Sequence, residues 1–264
     1  MSAGVPVVKM NGAGNAFFIV DERLAPLADP VAFALRVCDP SEGLGADGVL
    51  LVGRSDEHDA RMRVVNADGS EAEMCGNGMR CVGRYLDEHD GLAGATVETL
   101  AGPIGTRVIA RGEPYRVAVE MGEPHIGAPH EVAGFTATPV DLGNPHVVIR
   151  VPDVAAIDLA TAGPRIERDP RYPRGTNVHF VQRAGDESGA DGGWRVRHWE
   201  RGAGATQACG TGAVAVAAVL IAAGEATSPV ELHVPGGVLD VSWAPGGRAT
   251  LVGDAAREYE RVLA

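Results

Sequence analysis

Short apolar runs broken by Gly, Asn and Asp set the pattern of this chain. Phe17-Phe18-Ile19-Val20, Val49-Leu50-Leu51-Val52, Met62-Arg63-Val64-Val65, Val117-Ala118-Val119-Glu120, Val147-Val148-Ile149, His179-Phe180-Val181 and Val196-Arg197-His198-Trp199 have the length and composition of β-strands. The alternating runs Thr106-Arg107-Val108-Ile109 and Leu239-Asp240-Val241-Ser242-Trp243 predict two more. Helices are expected over 30–38, 77–88 and 211–223. The last is apolar on every face, which predicts a helix buried on all sides. The polar, Gly-rich stretch 184–193 reads as a hairpin loop.

These elements recur in order. Gly14-Asn15 precedes one apolar run and Gly143-Asn144 another. Met74-Cys75-Gly76-Asn77-Gly78 leads into the second helix and Ala208-Cys209-Gly210-Thr211-Gly212 into the third. Gly102 follows Cys75 at the same spacing as Gly236 follows Cys209, and an alternating strand comes after each. Such a series of landmarks predicts a duplicated fold. We expect an α+β protein of two pseudo-symmetric halves. Each is a curled, mostly antiparallel, barrel-like sheet around a central helix, with the active site in the cleft between them. The boundaries are expected at 1–121 for the half carrying Cys75 and 122–252 for the half carrying Cys209.

Composition narrows the function. The 264 residues carry a net charge of −12, which argues against nucleic acid or an anionic membrane surface as partner. No apolar run approaches the roughly 20 residues of a membrane span. No secretory leader is recognised, and four cysteines without one suggest reduced thiols in a cytoplasm. Lys9 is the only lysine, so only it could hold pyridoxal phosphate as a Schiff base; an exposed or salt-bridged Lys9 is the simpler reading. No Cys-x-x-Cys or His-x-x-x-His occurs, and no metal is expected. Gly12-Ala13-Gly14 lacks the third glycine and the following helix of a dinucleotide fingerprint. Cys38 and Cys81 read as small buried residues.

The two cysteine loops carry the chemistry. A cysteine just before a helix lies at the positive end of the helix dipole, which favours thiolate. The glycines bare backbone amides suited to a carboxylate. Facing each other, Cys75 and Cys209 would invert an α-carbon: one thiolate removes the proton, and the other thiol returns one to the opposite face. The amides at Gly76, Asn77, Gly210 and Thr211 would hold the carboxylate beside the carbanion. An ordinary thiol is a poor base at neutral pH, so each needs a helper, and His146 and Glu200 are the candidates. Arg201, Asn15, Asn66, Asn144 and Asn177 could bind a polar substrate. The alternatives are core cysteines at two helix starts, a core His146, a plain Glu200–Arg201 ion pair and Gly-Asn turns. The duplication argues against the first of these, because a core does not require the matched Gly and Asn landmarks.

The residues resemble the diaminopimelate epimerase family. The matching segments are Lys9 to Asn15, Asn66 to Glu71, Met74 to Arg80, Gly143-Asn144-Pro145-His146, Gly175-Thr176-Asn177-Val178, Glu200 to Gly204 and Gln207 to Gly212. The resemblance implies interconversion of LL- and meso-2,6-diaminopimelate, in lysine and peptidoglycan synthesis, without a cofactor. It implies Cys75 and Cys209 as the acid/base pair, assisted by His146 and Glu200. Gly76, Asn77, Gly210 and Thr211 would bind the reacting carboxylate. Asn15, Asn66, Asn177 and Arg201 would read the distal amino acid, with Asn144 nearby and Glu200 also at the substrate. It further implies a homodimer, with 253–264 returning to the first half and Tyr259 near the interface. The chain departs from the family at Asn11 (commonly His), Ala16 (Asp), Ala205 (Glu) and Gly48 (Gln in some members). Two other readings stay open: a two-cysteine racemase of another amino acid, and a non-catalytic amino-acid-binding or redox-sensing protein on the same scaffold.

Overall fold

The computed structural model describes residues 4–42, 44–185 and 193–263. It is a mixed α/β structure with four α-helices among the described residues and extensive mixed sheet, in two compact units. One unit is the chain through Val119 together with the segment from Gly253 onward; the other is Glu120–Val252. No helix among the described residues is long and apolar enough to cross a membrane.

In the first unit, Val5–Gly12 and Asn15–Asp21 form an antiparallel hairpin. Its two-residue turn places Ala13 and Gly14 at positive φ (53° and 87°), the backbone that matches the twist of a tight hairpin. Helix α1 (Pro30–Val37) begins with Asp29 accepting the Ala32 N–H at 2.9 Å and Pro30 at its first position, both strong start signals. It carries the chain to Gly48–Gly53, parallel to Asn15–Asp21. Ala60–Asn66 pairs antiparallel to that strand and then to Glu71–Ala72. Helix α2 (Gly76–Asp90) ends at Gly91 in the left-handed region, φ 72°. It leads to Gly94–Thr99, parallel to Ala60–Asn66, which turns back as Gly102–Ala110 and then Arg116–Glu120. Ala256–Leu263 closes the outer edge of Val5–Gly12. Val7, Phe18, Val20, Phe33, Val49, Leu51 and Val65 are buried together beneath α1.

The second unit repeats the order of pairings. Phe135–Asp141 is antiparallel to Pro145–Arg150, which is parallel to Asn177–Arg183. Trp194–Glu200 is antiparallel to that strand and pairs with Gly204–Thr206 and, in parallel, with Val230–Val234. Gly237–Ser242 follows antiparallel. The two parallel crossovers run through α3 (Leu159–Glu167) and α4 (Gly210–Ala222). Helix α4 is buried from Gly212 to Leu220, as an all-apolar helix must be. Where the first unit adds Ala256–Leu263, the second lays His125–Ile126 and His130–Val132 beside Phe135–Asp141.

Three differences from the sequence reading have local causes. Helix α3 was not foreseen, because Gly163 and Pro164 interrupt its pattern. Asp158 still caps it, Leu159 and Ile166 still point into the core, and a Cβ at Gly163 would overlap the Trp199 ring. Helices α2 and α4 start one residue earlier than expected, because each cysteine is itself the N-cap. Of the expected hairpin loop 184–193, residues 186–192 lie outside the described residues; its ends are joined by the Ala184 N–H to the Gly193 carbonyl at 2.8 Å.

Helix α2 lies close to its sheet at Gly83, where an added Cβ would fall 2.5 Å from Thr106 Oγ1 and 2.9 Å from Val117 Cγ1. Gly83→Ala gains helix propensity of about 1 kcal/mol but must push the helix away from both side chains, an overpacking cost of about 1–3 kcal/mol. A net loss of stability in urea unfolding is expected. An unchanged or raised midpoint would show the helix to be free to shift.

Candidate active site

Cys75 and Cys209 occupy the same local geometry in their units. Each is a helix N-cap in extended backbone (φ −136°, ψ 112° and φ −125°, ψ 111°). Each sulfur accepts the amide three residues on, Gly78 N–H at 3.3 Å and Gly212 N–H at 3.4 Å. A capping side chain normally offers oxygen here; sulfur does the same, and better as thiolate. Glycine at that third position lets the helix start press onto the sheet. A Cβ on Gly78 would stand 2.8 Å from Leu50 Cδ2, and one on Gly212 would overlap the His179 ring. Gly76 and Gly210 open the two helices, whose first amides have no partner within the helix.

The thiols differ in surroundings. Cys75 is half-buried, whereas Cys209 is 4% exposed. Burial pushes the Cys209 thiol well above its ordinary value of 9.0, and the charge and hydrogen bond of Glu200 push the same way, outweighing the Gly212 amide and the Thr211 hydroxyl. The expected thiolate preference of a helix start is therefore reversed at Cys209, because desolvation of an anion exceeds what two weak donors return. At rest this residue is a thiol beside the Glu200 side chain. Cys38 and Cys81 are buried, and burial raises them to about 11 and about 12, so neither is a ready nucleophile.

In the first unit, the Asn77 amide donates to Asn15 Oδ1 at 2.6 Å, tying the Cys75 helix to the hairpin strand. Asn15 and the Ala16 N–H both donate to Asp47 Oδ2, at 3.3 and 2.8 Å. Asn66 donates to Ser70 Oγ at 2.9 Å and lies opposite Gly48 in the sheet register. Asn15, Asn77 and Cys75 are thus brought together; Asn66 ends the neighbouring strand. Arg80, in the second turn of α2, is fully buried and gives its Nε–H to the Asp254 carbonyl at 3.1 Å. Burial lowers its affinity for a proton, and the nearby Cys81 and Cys75 oppose that shift.

In the second unit, Asn144 reaches both Thr211 Oγ1 at 3.5 Å and His146 Nε2 at 2.9 Å, and Thr211 Oγ1 is 3.7 Å from Cys209 Sγ. Asn177 lies opposite His146; it donates to the Pro145 carbonyl at 3.1 Å and accepts the Arg201 N–H at 2.9 Å. The Arg201 guanidinium donates to the Arg174 carbonyl at 2.9 Å. His146 makes its bonds to Asn144 and His179, so it reaches Cys209 only through Asn144 and Thr211. Its pKa falls to about 3, through burial first, then the neighbouring His198 and Arg201. Three residues given no role by the sequence reading support candidate residues, one in the first unit and two in the second. Asp47 braces Asn15. Glu167, buried in α3, accepts Trp199 Nε1–H at 2.7 Å and Gly202 N–H at 3.2 Å, holding the turn after Glu200. His179 packs under the first turn of α4. No signal marked Asp47 or Glu167 in the sequence, whereas His179 stands where the repeat has an apolar residue, Leu50.

The fold is shared with solved structures of low sequence identity. A phenazine biosynthesis protein of the PhzF family from Bacillus anthracis has a TM-score of 0.73 at 16% identity, covering 98% of this chain and 99% of its own. A hydroxyproline epimerase from Agrobacterium vitis has a TM-score of 0.67 at 16% identity, covering 99% and 93%. These likenesses define a chain of the PhzF and hydroxyproline epimerase architecture, here with a cysteine capping a helix in each unit. The sequence goes further. The family model described as diaminopimelate epimerase matches residues 7–127 and 138–257. Proteins named diaminopimelate epimerase are 43% identical in Moorella thermoacetica (90% of this chain, 91% of that one), 38% in Geobacillus kaustophilus (94% and 92%) and 36% in Bacillus subtilis (96% and 96%). The chain belongs to the diaminopimelate epimerase family of isomerases.

The histidines of the second unit give the fold a pH dependence. His146 and His198 are held near 3 and His179 well below 6.5, all by burial. The unfolded chain binds protons on them below about 6.5 and the folded chain does not, so stability is full above that value and falls as pH drops toward 3. The slope approaches about 1.4 kcal/mol per pH unit for each histidine. Urea unfolding should show a marked loss between pH 7 and pH 5, above the range where carboxylates titrate. A flat stability across that interval would mean these rings are not buried neutral.

Proposed function

We propose that this protein interconverts LL- and meso-2,6-diaminopimelate by two-base proton transfer between Cys75 and Cys209. The observation that carries the reading is the duplicated device: in each unit a cysteine sulfur caps a helix and accepts the third amide, at 3.3 and 3.4 Å. In this reading the units are pseudo-symmetric halves, each a curled sheet about its capped helix, and the α-carbon lies between the thiols. One cysteine, as thiolate, takes the α-proton. The electron pair passes into the carboxylate, held by the first amides of both helices at Gly76, Asn77, Gly210 and Thr211. The opposite thiol gives its proton to the other face and is left as thiolate, so the two exchange roles in the reverse direction.

Glu200 takes and returns the Cys209 proton, while His146 holds Asn144 in place. Asn15, Asn66, Asn177 and Arg201 bind the distal amino acid, which a substrate with only one polar end would not need. Lys9 does not suit a Schiff base: its Nζ donates to the Leu44 carbonyl at 3.0 Å and pairs with Glu258 at 3.5 Å. The four cysteines are free thiols, which suits a reducing cytoplasm. The strand Ala256–Leu263, with Tyr259 on it and Val262 exposed, is the proposed edge of a homodimer.

Cys75→Ala and Cys209→Ala should each reduce inversion of LL-diaminopimelate by at least about 10²- to 10⁴-fold, measured under reducing conditions. Serine at either position should leave α-proton exchange in heavy water from one isomer only. Full epimerase activity in either alanine variant would overturn the reading. Exchange on histidine, glutamate or hydroxyproline in place of diaminopimelate would keep the chemistry and change the substrate.

A further inference from the structure

Three fully buried histidines from adjacent strands form a continuous line beneath the start of α4. His146 Nδ1 is 2.9 Å from His179 Nε2, and His179 Nδ1 is 2.8 Å from His198 Nδ1. The line continues from His146 Nε2 to Asn144 Oδ1 at 2.9 Å, from Asn144 Nδ2 to Thr211 Oγ1 at 3.5 Å, and from Thr211 Oγ1 to Cys209 Sγ at 3.7 Å. The scaffold does not need polar groups there. Aligning the two units by their Gly-Asn landmarks and strand registers puts Phe17, Leu50 and Val64 at the corresponding places. All three are buried apolar residues packed as an ordinary core. Three adjoining histidines in one unit alone call for a reason beyond packing.

Proton counting gives the line a direction. Burial keeps each ring neutral, so each carries one N–H. Two arrangements can satisfy every internal link, one only with the Asn144 side-chain amide turned over, so that its nitrogen rather than its oxygen faces His146, and the other with Asn144 as placed. In one, all protons point away from Cys209; the last, on His198 Nε2, would then be a buried N–H with no acceptor, since that atom has no partner among the described residues. In the other, all donors point toward Cys209, and His198 Nε2 is an unpaired lone pair. An orphaned buried donor is rarer and costlier than an under-used acceptor. The second arrangement prevails: His198 Nδ1–H to His179, His179 Nε2–H to His146, His146 Nε2–H to the Asn144 carbonyl, the Asn144 amide to Thr211, and the Thr211 hydroxyl to the Cys209 sulfur.

We propose that His179 and His198 are positioning residues which fix the tautomer of His146 and, through Asn144, aim the Thr211 hydroxyl at Cys209, stabilising its thiolate during proton abstraction. The proposal rests on the acid/base role of Cys209. Besides this line, Glu200 and the Gly212 amide bear on that sulfur, and Arg201 bears on His146.

The test begins with long-range nitrogen NMR of the ¹⁵N-histidine-labelled full-length protein. It should find protons on Nε2 of His146, Nε2 of His179 and Nδ1 of His198; the opposite set, or a charged ring at pH 7.5, overturns the proposal. The double variant His179→Leu/His198→Val copies the other unit and so is expected to fold. It should lower kcat at least about 10- to 100-fold, the order found when a partner that orients a functional histidine is lost, with KM within about twofold. The alkaline-rising limb of its rate profile should move to higher pH. His198→Asn, which keeps a donor near the Nδ1 position, should recover most of kcat and the profile, and His198→Phe, which keeps none, replaces the double variant if that one does not fold. An unchanged kcat and profile in the double variant, or in His198→Phe, would overturn the proposal. If Cys209→Ala stayed active, the catalytic reading would fail while the NMR pattern stood, so the two failures are separable.

Discussion

The structure depends on a sulfur taking the place of oxygen at a helix start. An N-cap must sit in extended backbone and offer an acceptor to the third amide, and both Cys75 and Cys209 do so. That one bond sets where the helix begins, which amides stay uncommitted, and where the thiol points. It also dictates the neighbours. The third residue must approach the sheet without a side chain, so Gly78 lies against Leu50 and Gly212 against His179. Reactive group and helix start are one feature, and the surrounding sequence is constrained by both.

The same device gives different thiols because the environments differ. Helix amides and a hydroxyl favour thiolate at Cys209, but near-complete burial beside Glu200 wins. Under the proposed mechanism this thiol starts protonated and becomes a base only once Glu200 has taken its proton. Two-base inversion needs one partner to start protonated, so the asymmetry is compatible with the chemistry. The histidine line works on the same balance, adding an oriented dipole at the sulfur without adding a buried charge.

Much of this was legible in the sequence because the relevant signals are local. The Cys-Gly-x-Gly starts, the all-apolar run of α4 and the Gly-Asn turns before strands report on their immediate neighbours, and each landmark stands in an equivalent pairing order in its unit. Helix α3 was hidden because Pro164 and Gly163 read as breakers, although a cap at Asp158 and the buried Leu159 and Ile166 hold it together. Strand Val5–Gly12 alternates apolar residues with Lys9 and Asn11, and the Lys9 partner, the Leu44 carbonyl, comes from a distant segment. Glu167 and Asp47 were silent for the same reason: their importance lies in what they touch across the fold. His179 and His198 were different. Carrying the repeat through to residue level sets them against Leu50 and Val64, and that mismatch was visible in the sequence.

The family resemblance implies aspartate at position 16, where this chain has alanine. Asp47, just before the parallel strand Gly48–Gly53, reaches across to the Ala16 N–H and the Asn15 amide. Its own N–H donates to the Ala16 carbonyl at 2.8 Å, and its carbonyl accepts the Ala67 N–H at 3.2 Å. One residue therefore fastens the hairpin strand, the loop after Asn66 and the asparagine that grips α2. A carboxylate that accepts two hydrogen bonds and whose own N–H and carbonyl are both paired is held firmly in place. Position 47 thus ties three segments of the first unit together through one side chain and its own backbone.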